Sequence, residues 1–210
     1  MPGSETNTCA TCYETLVKIN KPTCPSCFRP QSNIDICSDC QSWENAPKWK
    51  GILERNVSVY EYNAAMKDIL STFKFRGDAV LAAVFEKDFK TTYKANFKKV
   101  KFDATIPIPL SPERLYERGF NQAKLLADFL PLPQLDVLER THHEKQSKKS
   151  RQERLTSSNV FSITNRSIIE GKNILLIDDI YTTGTTLRHA AKRLKDSGAA
   201  SIYSLTLIRS

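Results

Sequence analysis

A run of 13 residues in the last part of the chain constrains its fold more than any other segment. Residues 174–186 read Ile-Leu-Leu-Ile-Asp-Asp-Ile-Tyr-Thr-Thr-Gly-Thr-Thr. The four apolar residues predict a buried strand, which ends on two carboxylates, Asp178 and Asp179. A threonine-rich loop that contains Gly184 follows and opens directly into a helical pattern. A strand, a loop and a helix in this succession predict an α/β protein.

The chemistry of this loop suits a sugar phosphate. Its backbone N–H groups, and the N-terminus of the helix behind it, can point toward a phosphate. The two aspartates can accept hydrogen bonds from vicinal ribose hydroxyls, or hold a magnesium ion beside them. An ordinary strand–turn–helix corner is the alternative, but such a corner has no need of paired acids and four threonines.

The order of these parts resembles the phosphoribosyl pyrophosphate (PRPP) loop of type I phosphoribosyltransferases, in which two acids precede Thr-Thr-Gly-Thr-Thr. The resemblance implies that Asp178 and Asp179 are the catalytic carboxylates and that PRPP binds together with Mg²⁺. It assigns PRPP binding to the loop residues Tyr181, Thr182, Thr183, Gly184, Thr185 and Thr186.

The composition of the 210-residue chain fits one α/β domain and a small additional module. Its residues are 40% hydrophobic, which is enough for a proper core. No apolar run approaches the ~20 residues of a membrane span, and residues 1–8 do not resemble a signal peptide. We therefore expect a cytoplasmic protein without a membrane span, in which cysteines serve as metal ligands rather than disulfides.

Six cysteines form three C-x-x-C pairs. Each pair can place two thiolates on one turn, and two pairs complete a tetrahedral Zn²⁺ site. The second and third pairs are close enough for a small ribbon-type finger, so the predicted zinc ligands are Cys24, Cys27, Cys37 and Cys40. Cys9 and Cys12 can instead replace one of these pairs or await a further pair. A redox role is the alternative for a single C-x-x-C, but three in tandem without a β-α-β context favour zinc.

Positive charge concentrates in two segments of a chain whose net charge is +8. Residues 67–101 hold nine basic and four acidic side chains, and residues 140–154 hold six and two. Basic clusters of this kind attract a phosphate-rich partner such as nucleic acid. Solvated helix faces and a mobile loop are the alternative interpretation.

Strand and helix patterns alternate after residue 57, which predicts a mainly parallel sheet with ligands at the carboxyl ends of its strands. The domains are expected at residues 1–45, the cysteine-rich finger, and 57–210. The predicted strands are 57–62, 104–110, 135–138, 160–163, 174–178 and 201–208. The predicted helices are 64–75, 79–97, 185–197 and one from 112 to about 130 that is interrupted near Gly119.

Further motifs lie between the cysteines and the threonine loop. They are Lys-Phe-Arg-Gly-Asp at 74–78, Ile-Pro-Ile-Pro-Leu-Ser-Pro-Glu-Arg at 106–114 and Glu-Arg-Gly-Phe-Asn-Gln at 117–122. This succession resembles the ComF-type late competence protein (ComFC/GntX-like) family over nearly the whole chain. The resemblance implies a small N-terminal four-cysteine zinc finger before a phosphoribosyltransferase-like domain. It also implies a role in natural transformation, in which the protein helps to import single-stranded DNA together with a helicase-like ATPase of the competence operon.

The resemblance extends to two further groups of site residues. In the type I fold a second loop holds the pyrophosphate, and residues 109–122 occupy the matching place. Arg114 and Arg118 are the expected contacts, because guanidinium groups form forked, charge-assisted bonds to anions. The basic segment 145–154 corresponds to the mobile flap. Its side chains can close over a substrate or hold a DNA backbone, and they are Lys148, Lys149, Arg151 and Arg154.

The sequence thus predicts a competence factor that binds PRPP or a nucleotide and handles single-stranded DNA. A catalytically active phosphoribosyltransferase that acts on an unidentified acceptor base is the alternative. A third possibility is a scaffold in which the finger docks the partner ATPase and the pocket is only a sensor.

Overall fold

Runs of buried aliphatic residues form the sheet at the centre of the protein. The computed structural model describes residues 13–75, 79–140 and 160–210. In chain order its strands are β1 (Arg55–Glu61), β2 (Ala104–Pro107), β3 (Leu138–Arg140), β4 (Phe161–Ile163), β5 (Asn173–Tyr181) and β6 (Ser201–Arg209). Four of them form a parallel sheet in the order β1-β6-β5-β2, and β3 pairs antiparallel with β4.

Helices cover both faces of this sheet. They are α1 (Ser38–Glu44), α2 (Ala64–Phe75), α3 (Ala82–Asn96), α4 (Pro112–Arg118), α5 (Gln122–Ala127) and α6 (Thr185–Lys195), with a 3₁₀ turn at Ala79–Leu81. None of the helices in the described ranges is long and apolar enough to cross a membrane.

Alternate residues of β5 face two separate cores. Leu175 and Ile177 pack into the core beneath α2, α3 and α5. Ile174 and Leu176 pack into the second core, which α6 covers and which also contains three of the cysteines. A strand that is covered on both faces needs apolar residues at successive positions, and this is why 174–177 is a continuous apolar run.

The break between α4 and α5 follows from local capping. The Ser111 hydroxyl accepts a hydrogen bond from the Arg114 backbone N–H at the start of α4, where Pro112 fits the first turn. Gly119 ends the helix with φ 76°, a left-handed conformation that favours glycine. Asn121 then caps α5 through its side-chain oxygen. The predicted interruption near Gly119 is confirmed.

The structure confirms the α/β fold with a mainly parallel sheet, but the strand boundaries differ by up to three residues. The strand expected at 104–110 ends at Pro107. The short strand expected at 135–138 lies at Leu138–Arg140 and belongs to the separate antiparallel pair. The strand expected at 174–178 continues to Tyr181, because β6 pairs with it over its full length. The two aspartates therefore lie within the last part of the strand rather than at its end.

A buried carboxylate attaches the first described segment to the sheet. Asp88 on α3 accepts hydrogen bonds from the hydroxyls of Tyr13 at 2.5 Å and Tyr60 at 2.7 Å. Its second oxygen pairs with the Lys18 ammonium group at 2.7 Å. Burial opposes ionisation of Asp88, but the bonds from Lys18 and the two tyrosines outweigh it and lower the pKa. The ionised carboxylate thus joins three separate segments.

Replacement of this carboxylate by an amide tests its contribution. We expect Asp88→Asn to lower the free energy of unfolding by about 2 kcal/mol, because three charge-assisted bonds lose their acceptor charge. Glu86→Gln on the same helix is the matched control, since its pair with Lys90 is half-exposed, and we expect a change below about 0.5 kcal/mol. Urea unfolding measures both, and equal midpoints for the two variants would contradict the prediction.

Candidate functional site

The carboxyl ends of β2 and β5 border a cavity of about 200 Å³. Diverging loops at this edge of a parallel sheet commonly form a ligand site. Asp178 and Asp179 line the cavity, and so do Thr182 and Thr186 of the following loop. The remaining polar lining is Lys74, Arg114, Arg118, Asn121, Gln122 and Arg140. The predicted acids and both predicted arginines therefore meet in one place.

The two carboxylates differ in their partners. Lys74 at the end of α2 forms an ion pair with Asp179, and both side chains are largely buried. The Asp179 backbone N–H donates to Asp178 at 2.9 Å. Protein surrounds the Asp178 carboxyl closely, and this burial, with the neighbouring Asp179 charge, raises its pKa to about 8. Lys74, Arg140 and the N–H bond act in the opposite direction and only partly offset the rise.

Of the arginines that line the cavity, Arg118 and Arg140 are half-buried, whereas Arg114 is exposed. Arg114 and Arg118 are four residues apart on α4 and so project from the same side of the helix. Arg118 donates to the Gln122 side-chain oxygen at 3.0 Å. Burial lowers the pKa of Arg118 and that of Arg140. Because buried guanidinium groups are stabilised by negative partners, this arrangement suits an anionic ligand.

Two amides fix the segment that carries these arginines. The Asn121 side-chain N–H donates to the carbonyl oxygen of Ile108 at 3.0 Å, just beyond β2. The Gln122 amide donates to the Phe73 carbonyl oxygen of α2 at 3.4 Å. These bonds join α2, β2 and α5, so Lys74 and Arg118 are held at the same wall of the cavity.

The threonine loop has a single backbone shape that its packing enforces. Gly184 has φ 78°, and a Cβ there would clash with the Tyr181 hydroxyl and the Arg188 guanidinium. Arg188 donates to that hydroxyl at 2.5 Å, and burial raises the pKa of Tyr181 to about 12. The hydroxyls of Thr183 and Thr185 hydrogen-bond to each other at 2.8 Å. The loop is thus a rigid turn and not a flexible strap.

Only part of the predicted loop lines the cavity. Thr182 and Thr186 do so, whereas the side chains of Thr183 and Thr185 contribute to a second, smaller pocket with Trp43 and Trp49. Tyr181, although predicted to bind ligand, is buried behind the loop and is 2% exposed. Its side chain supports the loop from behind.

Four cysteines converge beside this loop. The sulfur atoms of Cys24, Cys27, Cys37 and Cys40 lie within 4.8 Å of one another, and the cluster can hold a metal ion. The Cys37 backbone N–H donates to the Cys24 sulfur at 3.4 Å. Four thiolates at such separations suit the tetrahedral geometry of Zn²⁺. Cys9 and Cys12 lie outside the described residues.

The sequence analysis did not predict two of the basic residues that line the cavity. Its prediction for four flap residues cannot be compared with the structure. Lys74 belongs to the motif at 74–78, which marked the family without indicating a role. Arg140 opened the second basic cluster, but nothing in its neighbourhood pointed to the aspartates. The flap residues predicted to contact substrate or DNA lie outside the described ranges, namely Lys148, Lys149, Arg151 and Arg154.

The raised pKa of Asp178 predicts that its contribution to stability falls as pH rises. An unfolded aspartate titrates near about 3.9, and Asp178 titrates at about 8. Between these values the folded state holds the extra proton, so raising the pH favours unfolding. Relative to Asp178→Asn, the wild-type free energy of unfolding should fall by up to about 1.4 kcal/mol per pH unit.

Urea unfolding between about pH 5 and pH 8 measures this difference. Asp136→Asn, which removes an exposed carboxylate with a side chain 65% accessible, controls for the loss of one surface charge. If the free energies of unfolding of wild type and Asp178→Asn differ by the same amount at every pH in this range, Asp178 does not have a raised pKa.

Known proteins resemble this chain in sequence and in domain type. The phosphoribosyl transferase domain family matches residues 115–210. Competence protein ComFC of Bacillus subtilis (strain 168) is 49% identical over 96% of this chain and 84% of its own length. ComFC of Streptococcus pneumoniae (strain ATCC BAA-255 / R6) is 37% identical over 96% and 87%. The solved adenine phosphoribosyltransferase of Saccharomyces cerevisiae is 19% identical over 65% of this chain and 72% of its own, with a TM-score of 0.40. With such identity over nearly its whole length, the chain belongs to the ComFC family of competence proteins and contains a phosphoribosyltransferase domain.

Proposed function

We propose that this protein is a cytoplasmic competence factor that handles single-stranded DNA during natural transformation and binds PRPP or a nucleotide. The names of its relatives in Bacillus subtilis and Streptococcus pneumoniae support the first part. One observation carries the second: adjacent carboxylates and four basic side chains share the cavity beside a rigid threonine loop. We assign the sugar-phosphate site to a domain at 57–210 and the finger to residues 1–45.

Each part of PRPP has a matching group in the cavity. Asp178 and Asp179 accept hydrogen bonds from the ribose hydroxyls. The backbone of residues 182–186 and the first turn of α6 receive the 5′-phosphate. Arg114 and Arg118 bind the pyrophosphate, and Lys74 and Arg140 add positive charge for the same polyanion.

Two metal ions complete the proposal. The two carboxylates fit Mg²⁺, because a hard cation would offset the burial and the neighbouring Asp179 charge that raise the pKa of Asp178. When bound, Mg²⁺ would neutralise charge on the pyrophosphate. The cysteine cluster fits Zn²⁺ in a structural role, since its four thiolates leave no open position.

The PRPP site is tested by calorimetric titration of the zinc-loaded protein with PRPP and Mg²⁺. We expect Asp178→Asn/Asp179→Asn to weaken binding by about 100-fold or more, because two charge-assisted hydrogen bonds are lost. The matched control is Asp128→Asn/Asp136→Asn, which removes two exposed carboxylates and should bind as the wild type does. If PRPP does not bind to the wild type, the proposed PRPP site is wrong, although the loop has the shape of one.

The same cavity also supports the alternative that the protein is an active phosphoribosyltransferase. Two ionised carboxylates beside the ribose would stabilise an oxocarbenium-like sugar as pyrophosphate leaves. Pyrophosphate release that depends on an added acceptor base distinguishes this activity from binding alone.

We further propose that lysines on α3 and the segment after it contact single-stranded DNA. The helicase-like ATPase of the competence operon is the proposed protein partner in this process. Lys87 and Lys94 on the helix are exposed, and so are Lys98, Lys99 and Lys101 just after it. Sequence-independent contact with a DNA backbone needs a surface of this kind. The flap lysines and arginines at 148–154 are assigned to the same strand.

Removal of three of these charges tests the DNA surface. We expect Lys94→Gln/Lys98→Gln/Lys99→Gln to weaken binding to an oligothymidine and to lower the slope of log affinity against log salt by about 2. Lys21→Gln/Lys50→Gln/Lys124→Gln removes the same charge from exposed positions elsewhere. Fluorescence anisotropy at several salt concentrations measures both variants, and equal slopes would exclude this surface.

A further inference from the structure

Two side chains that lie outside the cavity join the cysteine cluster to the threonine loop. Arg209 on β6 donates through Nη1 to the carbonyl oxygens of Tyr181 at 3.2 Å and Thr182 at 3.0 Å. Its Nη2 lies 3.5 Å from the Cys27 sulfur. The Trp43 indole N–H donates to the Thr183 carbonyl oxygen at 3.0 Å. Three successive loop carbonyls are thus held from the finger side.

Arg209 links the loop to one metal-ligand candidate directly. It is 2% exposed, and the register of the sheet places it beside Tyr181, whose ring lies 4.8 Å from the guanidinium. Arg209 also donates to the main-chain oxygen of Ser210. Of the described side chains that it contacts, the Cys27 sulfur is the one that would be negatively charged in a zinc site, as a thiolate. The buried guanidinium group therefore interacts with the Cys27 sulfur on one side and donates hydrogen bonds to the loop carbonyls on the other.

Trp43 provides a second, independent link. It lies three residues after Cys40 on α1, so both side chains project from the same side of that helix. Its ring lies 4.7 Å from the Arg188 guanidinium, which in turn bonds the Tyr181 hydroxyl. A metal ion that fixes Cys40 therefore fixes α1, and α1 fixes the indole against Thr183.

The loop transmits this restraint to the cavity. Thr182 and Thr186 line the cavity, whereas Thr183 and Thr185 face the finger. Between these two pairs of threonines, Gly184 cannot be replaced by a residue with a Cβ, because Tyr181 and Arg188 fill the space that the Cβ would need. A turn packed this tightly moves as one unit, so a displaced Thr183 also displaces the residues that face the ligand.

We propose that Arg209 and Trp43 are positioning residues through which the metal-loaded cysteine cluster holds the threonine loop in its ligand-binding shape. The affinity of the loop for a sugar phosphate then depends on the metal. By thermodynamic linkage, bound ligand raises the affinity for the metal by the same factor. This inference rests on the proposed PRPP site for its ligand, but its structural half can be measured without ligand.

The main experiment compares Trp43→Phe with Trp49→Phe in the zinc-loaded protein. Trp49 packs edge-to-face on Trp43 at 5.4 Å, so its replacement makes the same chemical change in the same cluster. Among the described contacts it makes no hydrogen bond to the loop. Hydrogen exchange at residues 182–186 should be faster in Trp43→Phe and unchanged in Trp49→Phe. PRPP affinity should fall roughly fivefold in Trp43→Phe alone, the value of one hydrogen bond.

Metal removal and Arg209→Lys test the direct link. Chelation of the wild-type protein should speed exchange at 182–186 before the central strands exchange. In an equilibrium competition with a colorimetric chelator, Mg²⁺–PRPP should raise the zinc affinity at least about fivefold. Arg209→Lys keeps the charge but cannot span the sulfur and two carbonyls, so PRPP should no longer protect zinc. If this variant does not fold, Trp43→Phe still decides the question.

The outcomes separate this inference from the PRPP proposal. If the zinc-loaded wild type binds no PRPP, the proposed ligand is wrong, and exchange at 182–186 alone decides whether the finger positions the loop. Equal loop exchange with and without zinc, or in Trp43→Phe and Trp49→Phe, overturns the inference even where PRPP binds tightly. Loop exchange that responds to zinc and to Trp43 supports it.

Discussion

The register between β5 and β6 is the constraint on which the site depends. Parallel pairing sets Tyr181 beside Arg209 at the carboxyl ends of both strands. From that position Arg209 reaches the loop that follows β5 and the sulfur of Cys27. A slip of one residue would turn Arg209 to the other face of the sheet and leave the loop carbonyls without this donor. The ladder thus assembles the acids, the loop and the cysteine cluster at one edge.

The negative charge of the two cavity aspartates is offset before any ligand enters. Lys74 pairs with Asp179, and burial together with the neighbouring Asp179 charge raises the pKa of Asp178 to about 8. The arginines are then the excess charge, which suits a polyanion better than a neutral sugar. A ligand that brings a divalent cation changes this balance, because the cation favours the ionised form of Asp178 and competes with Lys74 for Asp179. In the proposed PRPP complex, Lys74 would exchange its carboxylate partner for a phosphate.

Local pattern was enough to predict most of the elements and the residues that lie on them. The apolar run at 174–177, the serine–proline start of α4 and the stop at Gly119 each depend on neighbours in sequence, and the structure has all three. Lys74 and Arg140 escaped prediction because α2 and β3 bring them to the aspartates across the fold, and no spacing encodes that approach. The separate β3–β4 pair escaped for a related reason, since a three-residue strand carries no periodicity that names its partner.

The packing of the finger against the rest of the protein could not be predicted from the cysteine spacing. Cysteine spacing correctly placed Cys24, Cys27, Cys37 and Cys40 in one cluster, yet spacing describes the module as if it were self-contained. In the folded chain, three of these cysteines share a core with Tyr181 and Leu187, which begin and follow the threonine loop. Residues that share a core are stabilised together, so the proposed effect of metal loss on the loop would pass through this core. The described part of the finger therefore supports the threonine loop from behind, although none of its residues lines the cavity.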